Sequence, residues 1–286
     1  MSGEAQVRAA VDEVRAWAIA QFGWTLVELD VEDRGAVIAL RGTVVAMRLV
    51  DRIVAACPEQ RIDASGVALL GTGVFHAVGP DGCSLFRRPG TVELATELDA
   101  GDGPVEAITS LGNARLVRAC DGTVGWTHDV LGSAVARPTF MVPTLLDSDA
   151  ITDAFTSWID TPYVLGGTRR GGIDCSGLVQ RLLGGAGLRM PRHSTDQLAI
   201  DPQPGTATEI GVVIAIWSDD EAPCHVGLVV GFDCIVHASR SRGRVVVESE
   251  ADFVGRARRV AHVRVEALLR LQARACDEPD LLAALR

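Results

Sequence analysis

Lysine is absent from these 286 residues; all 27 basic side chains are arginine, which reads as genomic base composition and not as a device. Against them stand 37 acids, giving a formal charge of −10. The clustered positive charge that phosphate backbones require is missing, which argues against a nucleic-acid partner. The seven cysteines (57, 83, 120, 175, 224, 234 and 276) show no Cys-x-x-Cys spacing. Neither a zinc site nor a disulfide framework is indicated, no cofactor is implied, and the odd number fits a reducing compartment. No stretch approaches the ~20 uninterrupted apolar residues of a membrane span. Nor is there an export signal at the N-terminus: residues 4–20 set Glu4, Arg8, Asp12, Glu13 and Arg15 against Val7, Val11, Val14 and Ala18, the pattern of an amphipathic helix. A cytoplasmic protein is therefore expected.

What the chain does have is apolar material for real cores, 48% of its residues, over a length that suits about two to three domains of ~100–150 residues. Residues 1–71 read as a small α/β module in the order helix, strand Leu26–Val31, strand Ala36–Leu40, helix from Val44 to Ala56, and a strand near Val67–Leu70. That order faintly resembles a BON module. Residues 72–137 break into short β runs between Gly, Asp and Pro turns, among them Leu94–Leu98, Val105–Ile108, Ala114–Arg118 and Asp121–Trp126, a small-barrel pattern. Pro138 and Pro143 mark a linker, a helix is expected at 149–159, and Leu268 to Leu285 alternates apolar and charged residues as a helical tail would.

The most informative stretch runs from Tyr163 to Gln180, Tyr-Val-Leu-Gly-Gly-Thr-Arg-Arg-Gly-Gly-Ile-Asp-Cys-Ser-Gly-Leu-Val-Gln, because it seats Cys175 between a glycine-rich loop and an apolar helix. Unpaired amides and the dipole at a helix N-terminus favour thiolate over thiol, so a lowered Cys175 pKa and fast alkylation at this site are expected. A cysteine nucleophile also needs a base and a group that orients it. Downstream, His225-Val-Gly opens one strand and Val236-His237-Ala-Ser closes its antiparallel neighbour.

These blocks together resemble the NlpC family of papain-like cell-wall peptidases. The resemblance rests on Tyr163, Gly166 and Gly167, Asp174 to Val179, Met190-Pro-Arg-His-Ser-Thr-Asp-Gln197, His225-Val-Gly227 and Val236-His-Ala-Ser239, in that order, and covers roughly residues 150–265. Two positions depart from it. Leu165 stands where relatives often carry Trp, and Glu209-Ile-Gly211 replaces a Pro-Gly-Asp turn.

The resemblance implies an α+β architecture: a papain-like catalytic domain over 138–270 with helices packed on an antiparallel sheet, an SH3-like barrel over 72–137, the α/β module before it, and a tail from 271 to 286. It implies Cys175 as nucleophile, His225 as general base and His237 as the residue orienting that base. Tyr163, Asp174, Ser176, Arg192 and Ser194 match substrate-binding positions, while helix capping by Asp174 or Ser176 and an ion pair for Arg192 are equally open. The implied partner is a murein peptide, cut at its γ-D-glutamyl–diamino acid bond. With a barrel that walls the cleft, a free N-terminal L-Ala would be read by an acid such as Glu97, Asp99, Asp102 or Asp121. A cysteine amidase or acyltransferase acting on another small amide is the alternative.

Overall fold

The computed structural model describes residues 2–22, 27–137, 147–198, 200–217, 225–255 and 257–270. Pro138, Pro143, Cys224, Cys276 and the expected helical tail at 271–286 lie outside them. The architecture is mixed α+β, in two compact units: one of residues up to 95 and from 99 to 137, the other of residues 96–98 and from 147 on.

The first unit opens with α1 (Gly3–Phe22), followed by β1 (Val27–Asp33), β2 (Ile38–Val44), α2 (Arg48–Ala56) and β3 (Ile62–Leu69). Val7, Val11, Val14 and Ala18 are the buried stripe of α1, as their spacing dictates. β1 and β2 pair antiparallel, whereas β3 returns beside β2 in parallel after the α2 crossover. The last strand therefore begins at Ile62, earlier than Val67, because a parallel partner must run alongside the whole of β2. A seven-stranded sheet follows, made of β4 (Phe75–His76), β5 (Cys83–Phe86), β6 (Leu94–Leu98), β7 (Val105–Leu111), β8 (Ala114–Arg118), β9 (Val124–Thr127) and β10 (Ala134–Val135). Its order is β10-β4-β7-β8-β9-β5-β6. Ile108, Leu116 and Trp126 from this sheet share one buried cluster with Val7, Leu40 and Ile53, so residues 1–71 and 72–137 have a common core. Arg118 ties them further: it pairs with Glu106 at 2.8 Å and donates to the carbonyls of Val45 and Leu70.

In the second unit, α3 (Ser148–Thr156) precedes a two-stranded ribbon of β11 (Thr168–Arg169) and β12 (Gly172–Ile173), then α4 (Cys175–Gly185) and α5 (Ser194–Leu198). A six-stranded antiparallel sheet completes it: β13 (Gln203–Pro204), β14 (Val213–Trp217), β15 (His225–Gly231), β16 (Cys234–Ser239), β17 (Arg244–Glu248) and β18 (Arg259–Val263), with α6 (Glu250–Val254) between the last two. The sheet order is β13-β18-β14-β15-β16-β17. Period-2 alternation gives each strand two faces. Val226, Leu228, Val236, Ala238 and Val245 meet Leu178, Val179 and Leu182 of α4 on one face. On the other, Ile214, Val229 and Ile235 meet Phe253 of α6. No described helix is long and apolar enough to cross a membrane.

Candidate active site

Cys175 is the first residue of α4, and the chain reaches it through a turn that only glycine takes easily. Gly166 has φ 83°, and a Cβ on Gly167 would lie 2.5 Å from the Gly172 carbonyl oxygen. Asp174 caps the helix, accepting from Gly177 N at 2.7 Å and from Gly166 N at 2.8 Å. The residue is 9% exposed, with the backbone N–H groups of Val226 and Ser176 directed at its sulfur. The N–H of Cys175 itself has no acceptor among the described residues, so an amide is left at the helix start for a developing oxyanion.

The expected thiolate is not what this geometry produces. Burial pushes the Cys175 thiol up to about 11, the Asp174 carboxylate adds to the effect, and the two backbone donors oppose it without prevailing. The correction has a physical reason: a helix terminus supplies about half a charge, whereas nearly complete burial removes the whole hydration shell of the anion. Fast alkylation of Cys175 is therefore not expected. Of the described cysteines, iodoacetamide at neutral pH should label exposed Cys234 ahead of Cys175, as peptide mapping would show.

His225 and His237 belong to neighbouring strands. In the register that pairs Leu228 with Val236, His237 stands opposite Gly227, and His225 lies two residues along the diagonal. Their rings meet with His225 Nε2 2.7 Å from His237 Nδ1, centroids 4.9 Å apart and planes at 79°. Phe253 walls the pair, its centroid 5.5 Å from His225 and 5.0 Å from His237. Gly227 makes room for it: a Cβ there would come within 3.0 Å of Phe253 Cζ and 2.5 Å of Ile235 Cγ2. Burial pushes both rings toward the neutral form, His225 down to about 3 and His237 to about 4. At neutral pH the cysteine is thus a thiol and the two imidazoles are neutral.

A depressed folded pKa has a definite sign for stability. Between about pH 4 and 6.5 the unfolded chain binds protons at these histidines that the folded one refuses, so stability should fall as pH drops through that window. Melting temperatures taken from pH 7 to pH 4.5 check this; His225→Phe should flatten the slope.

Arg192 is 2% exposed, and all five of its N–H donors are used inside the protein. Nη1 donates to Asp174 Oδ1 (2.8 Å) and Ser176 Oγ (3.0 Å), Nη2 to Asp174 Oδ2 (2.8 Å) and the Gly167 carbonyl (3.2 Å), and Nε to Thr96 Oγ1 (3.1 Å). No donor remains for a substrate carboxylate. Asp174 is equally committed, with two backbone amides and the guanidinium on its two oxygens. Of the open readings, helix cap and structural ion pair are the ones these bonds describe. Arg192→Met should cost about 3–5 kcal/mol of stability by leaving the Asp174 charge buried and unpaired, readable by urea denaturation.

Tyr163 is half-buried against the same core, its hydroxyl without a partner among the described residues. Burial, with Cys175 and Asp174 nearby, pushes its phenol up to about 12. Ser194 opens α5 half-buried, its hydroxyl also unpartnered among the described residues. Of the four acids considered for a substrate amine, Asp99, Asp102 and Asp121 accept from or cap their own turns. Glu97 instead lies by the ribbon leading to Cys175, with Thr168 N 3.4 Å from Oε2 and Arg169 Nη1 3.9 Å from Oε1. His262 is buried and hydrogen-bonded to the Gly205 carbonyl, a packing residue.

Two residues escaped the sequence reading. Arg240 is exposed, carries no ion pair among the described residues, and borders a cleft of about 400 Å³ together with His225, His237, Ser239, Glu248 and Phe253. Glu248 lies behind His237, Oε2 3.2 Å from Nε2. Strand alternation was the available signal: Val246 pairs with His237, which puts Glu248 on the same face two residues on. Among the described residues no group of three or more His, Cys, Asp or Glu is placed to hold a metal ion.

A buried thiol at a helix start, met by the N–H of Val226 next to His225 on the strand that carries the first of two paired histidines, has the components that cysteine acyl-transfer chemistry needs. Comparison with known proteins narrows the class: residues 160–264 match the NlpC/P60 family, and this segment is an NlpC/P60 domain. Over 95 residues the chain is 36% identical to a probable endopeptidase of Mycobacterium tuberculosis, covering 32% of this chain and 24% of that protein. Over 97 residues it is 32% identical to a murein DD-endopeptidase/murein LD-carboxypeptidase of Escherichia coli K12, covering 34% of this chain and 52% of that one. The chain thus spans about a quarter and about half of these relatives. A crystal structure of an NlpC/P60 family protein from Bacillus cereus aligns over 67% of this chain and 63% of its own, at 17% identity and a TM-score of 0.38.

Proposed function

We propose that the protein is a cysteine peptidase hydrolysing the γ-D-glutamyl–diamino acid bond of murein peptides. The observations that carry the reading are the buried Cys175 at the start of α4, with the Val226 N–H directed at it, and the 2.7 Å His225–His237 pair that begins one residue before Val226. The Cys175 sulfur attacks the amide carbonyl while its proton passes to His225. The Cys175 N–H and its neighbours hold the oxyanion. His225 then returns the proton to the leaving amine, the C–N bond breaks, and a thioester remains. Water, giving its proton to His225, cleaves the thioester; the γ-glutamyl acid departs and Cys175 recovers its proton.

Two charges fit such a peptide: Arg240, at the cleft and without an ion pair among the described residues, as a cation for a carboxylate, and Glu97, by the ribbon leading to Cys175, as an acid for the ammonium of a free N-terminal L-Ala. A cytoplasmic enzyme with that preference would act on imported wall fragments in peptide recycling, with residues 72–137 as its SH3-like domain. Leu165, 69% exposed where relatives carry Trp, favours as second reading an amidase or acyltransferase of another small amide.

Incubation with L-Ala-γ-D-Glu-diaminopimelate and assay for free L-Ala-γ-D-Glu tests the first reading against the second; no product would remove it. Acetylating the L-Ala amine should slow cleavage by about a hundred-fold. Equal rates with and without acetylation would replace recycling by general wall hydrolysis.

A further inference from the structure

The histidine pair is neutral and shares one proton across 2.7 Å, which permits two arrangements. In the first, His225 donates from Nε2 to His237 Nδ1; its own Nδ1 is bare and can take the thiol proton, while His237 carries its hydrogen on Nε2. In the second, His237 donates from Nδ1, and His225 carries hydrogen on Nδ1, where it is useless as a base. Nothing within the two rings chooses between them.

We propose that Glu248 makes that choice: it is a positioning residue that holds His237 in the Nε2–H tautomer and so keeps His225 ready as the base. The three side chains lie on one diagonal across β15, β16 and β17. Gly227 and Val246 flank His237 directly, His225 lies two residues before Gly227, and Glu248 two after Val246. Glu248 Oε2 is 3.2 Å from His237 Nε2, a nitrogen that is buried and has no aligned hydrogen-bond partner among the described residues. In the first arrangement a positive N–H edge faces the carboxylate; in the second a lone pair faces it, at close range and away from water. The carboxylate is held from behind by Arg242, whose Nη2 lies 2.6 Å from Oε1. The other groups around the pair are Phe253 and Asp252 of α6, Ser239 and Arg240 of the β16 end, and Trp217 and Ile216 of β14. None of them is paired with His237 Nε2.

Glu248→Gln is the discriminating variant. Arg242 will hold the amide carbonyl, which turns the NH₂ toward His237 Nε2 and selects the useless arrangement. An isosteric, neutral replacement should therefore lower kcat/KM by about ten-fold or more, and Glu248→Ala by no more than Gln does. Adding Arg242→Ala to Glu248→Gln frees the amide to rotate and should restore part of the loss. The tautomers are read directly from imidazole ¹⁵N shifts: His225 Nε2–H with bare Nδ1 in the native protein, shifted toward Nδ1–H in Glu248→Gln. The proposal rests on His225 being the base, yet the ¹⁵N spectra need no substrate. If the spectra are as stated and the murein peptide is untouched, the substrate reading fails and this one stands. It is overturned if native His225 carries its hydrogen on Nδ1, or if Glu248→Gln keeps both native tautomers and native kcat/KM.

Discussion

Cys175→Ala should lose at least about 10⁴-fold in kcat on the cleaved peptide while melting close to the native protein. The size follows from what is removed. In the proposed mechanism the sulfur is the atom that bonds to the carbonyl carbon, and deleting a nucleophile leaves only binding and oxyanion stabilisation, which together retain a small fraction of the rate. The fold survives because α4 is held by other groups. Asp174 still caps it, Arg192 still spans the cap, and Leu178, Val179 and Leu182 still fill the core under the sheet. Cys175→Ser should be no better, since an alcohol in that dry pocket is a far poorer nucleophile for a neutral imidazole to activate. Residual activity above one percent in either variant would move the chemistry to another residue.

His225→Ala should cost about 10³-fold or more, and His237→Ala less by about ten-fold. In the proposed mechanism His225 handles the proton twice in each turnover, in acylation and again when water attacks. His237 would act through its one 2.7 Å contact with His225, so its removal would let the His225 ring turn while leaving its basic nitrogen present. Steady-state kinetics with Cys175→Ala as the zero point measures both. Equal losses would count against separate roles, and a greater loss at His237 would reverse them.

Much of this was legible before any coordinates. The α1 stripe was, because its apolar residues repeat at helical spacing, and so was β8, whose bounds Ala114–Arg118 are those expected. The hairpin carrying both histidines was visible as two apolar runs a few residues apart, and the structure closes it through Asp233 at φ 55°. The two-residue strands β4 and β10 were not, since two residues carry no period. The state of Cys175 also stayed hidden. A helix start is a local fact that sequence reveals, whereas burial depends on Val226 and the rest of a strand fifty residues away. Arg192 shows the same limit: its residue type invites a ligand, and only the positions of Asp174, Ser176, Gly167 and Thr96 reveal that every donor is taken. Glu248 required the register of a third strand, which pairing alone supplies.

The buried neutral thiol also bears on how this protein ages. With burial holding the Cys175 thiol up at about 11, it stays protonated at neutral pH. Peroxide and disulfides react with thiolates, so an idle molecule offers them little at this position to attack. In the proposed mechanism the sulfur becomes reactive when a carbonyl sits beside it and the imidazole takes its proton. Shelf life and catalytic power, which a standing thiolate sets against each other, are here kept apart by a dry wall of side chains.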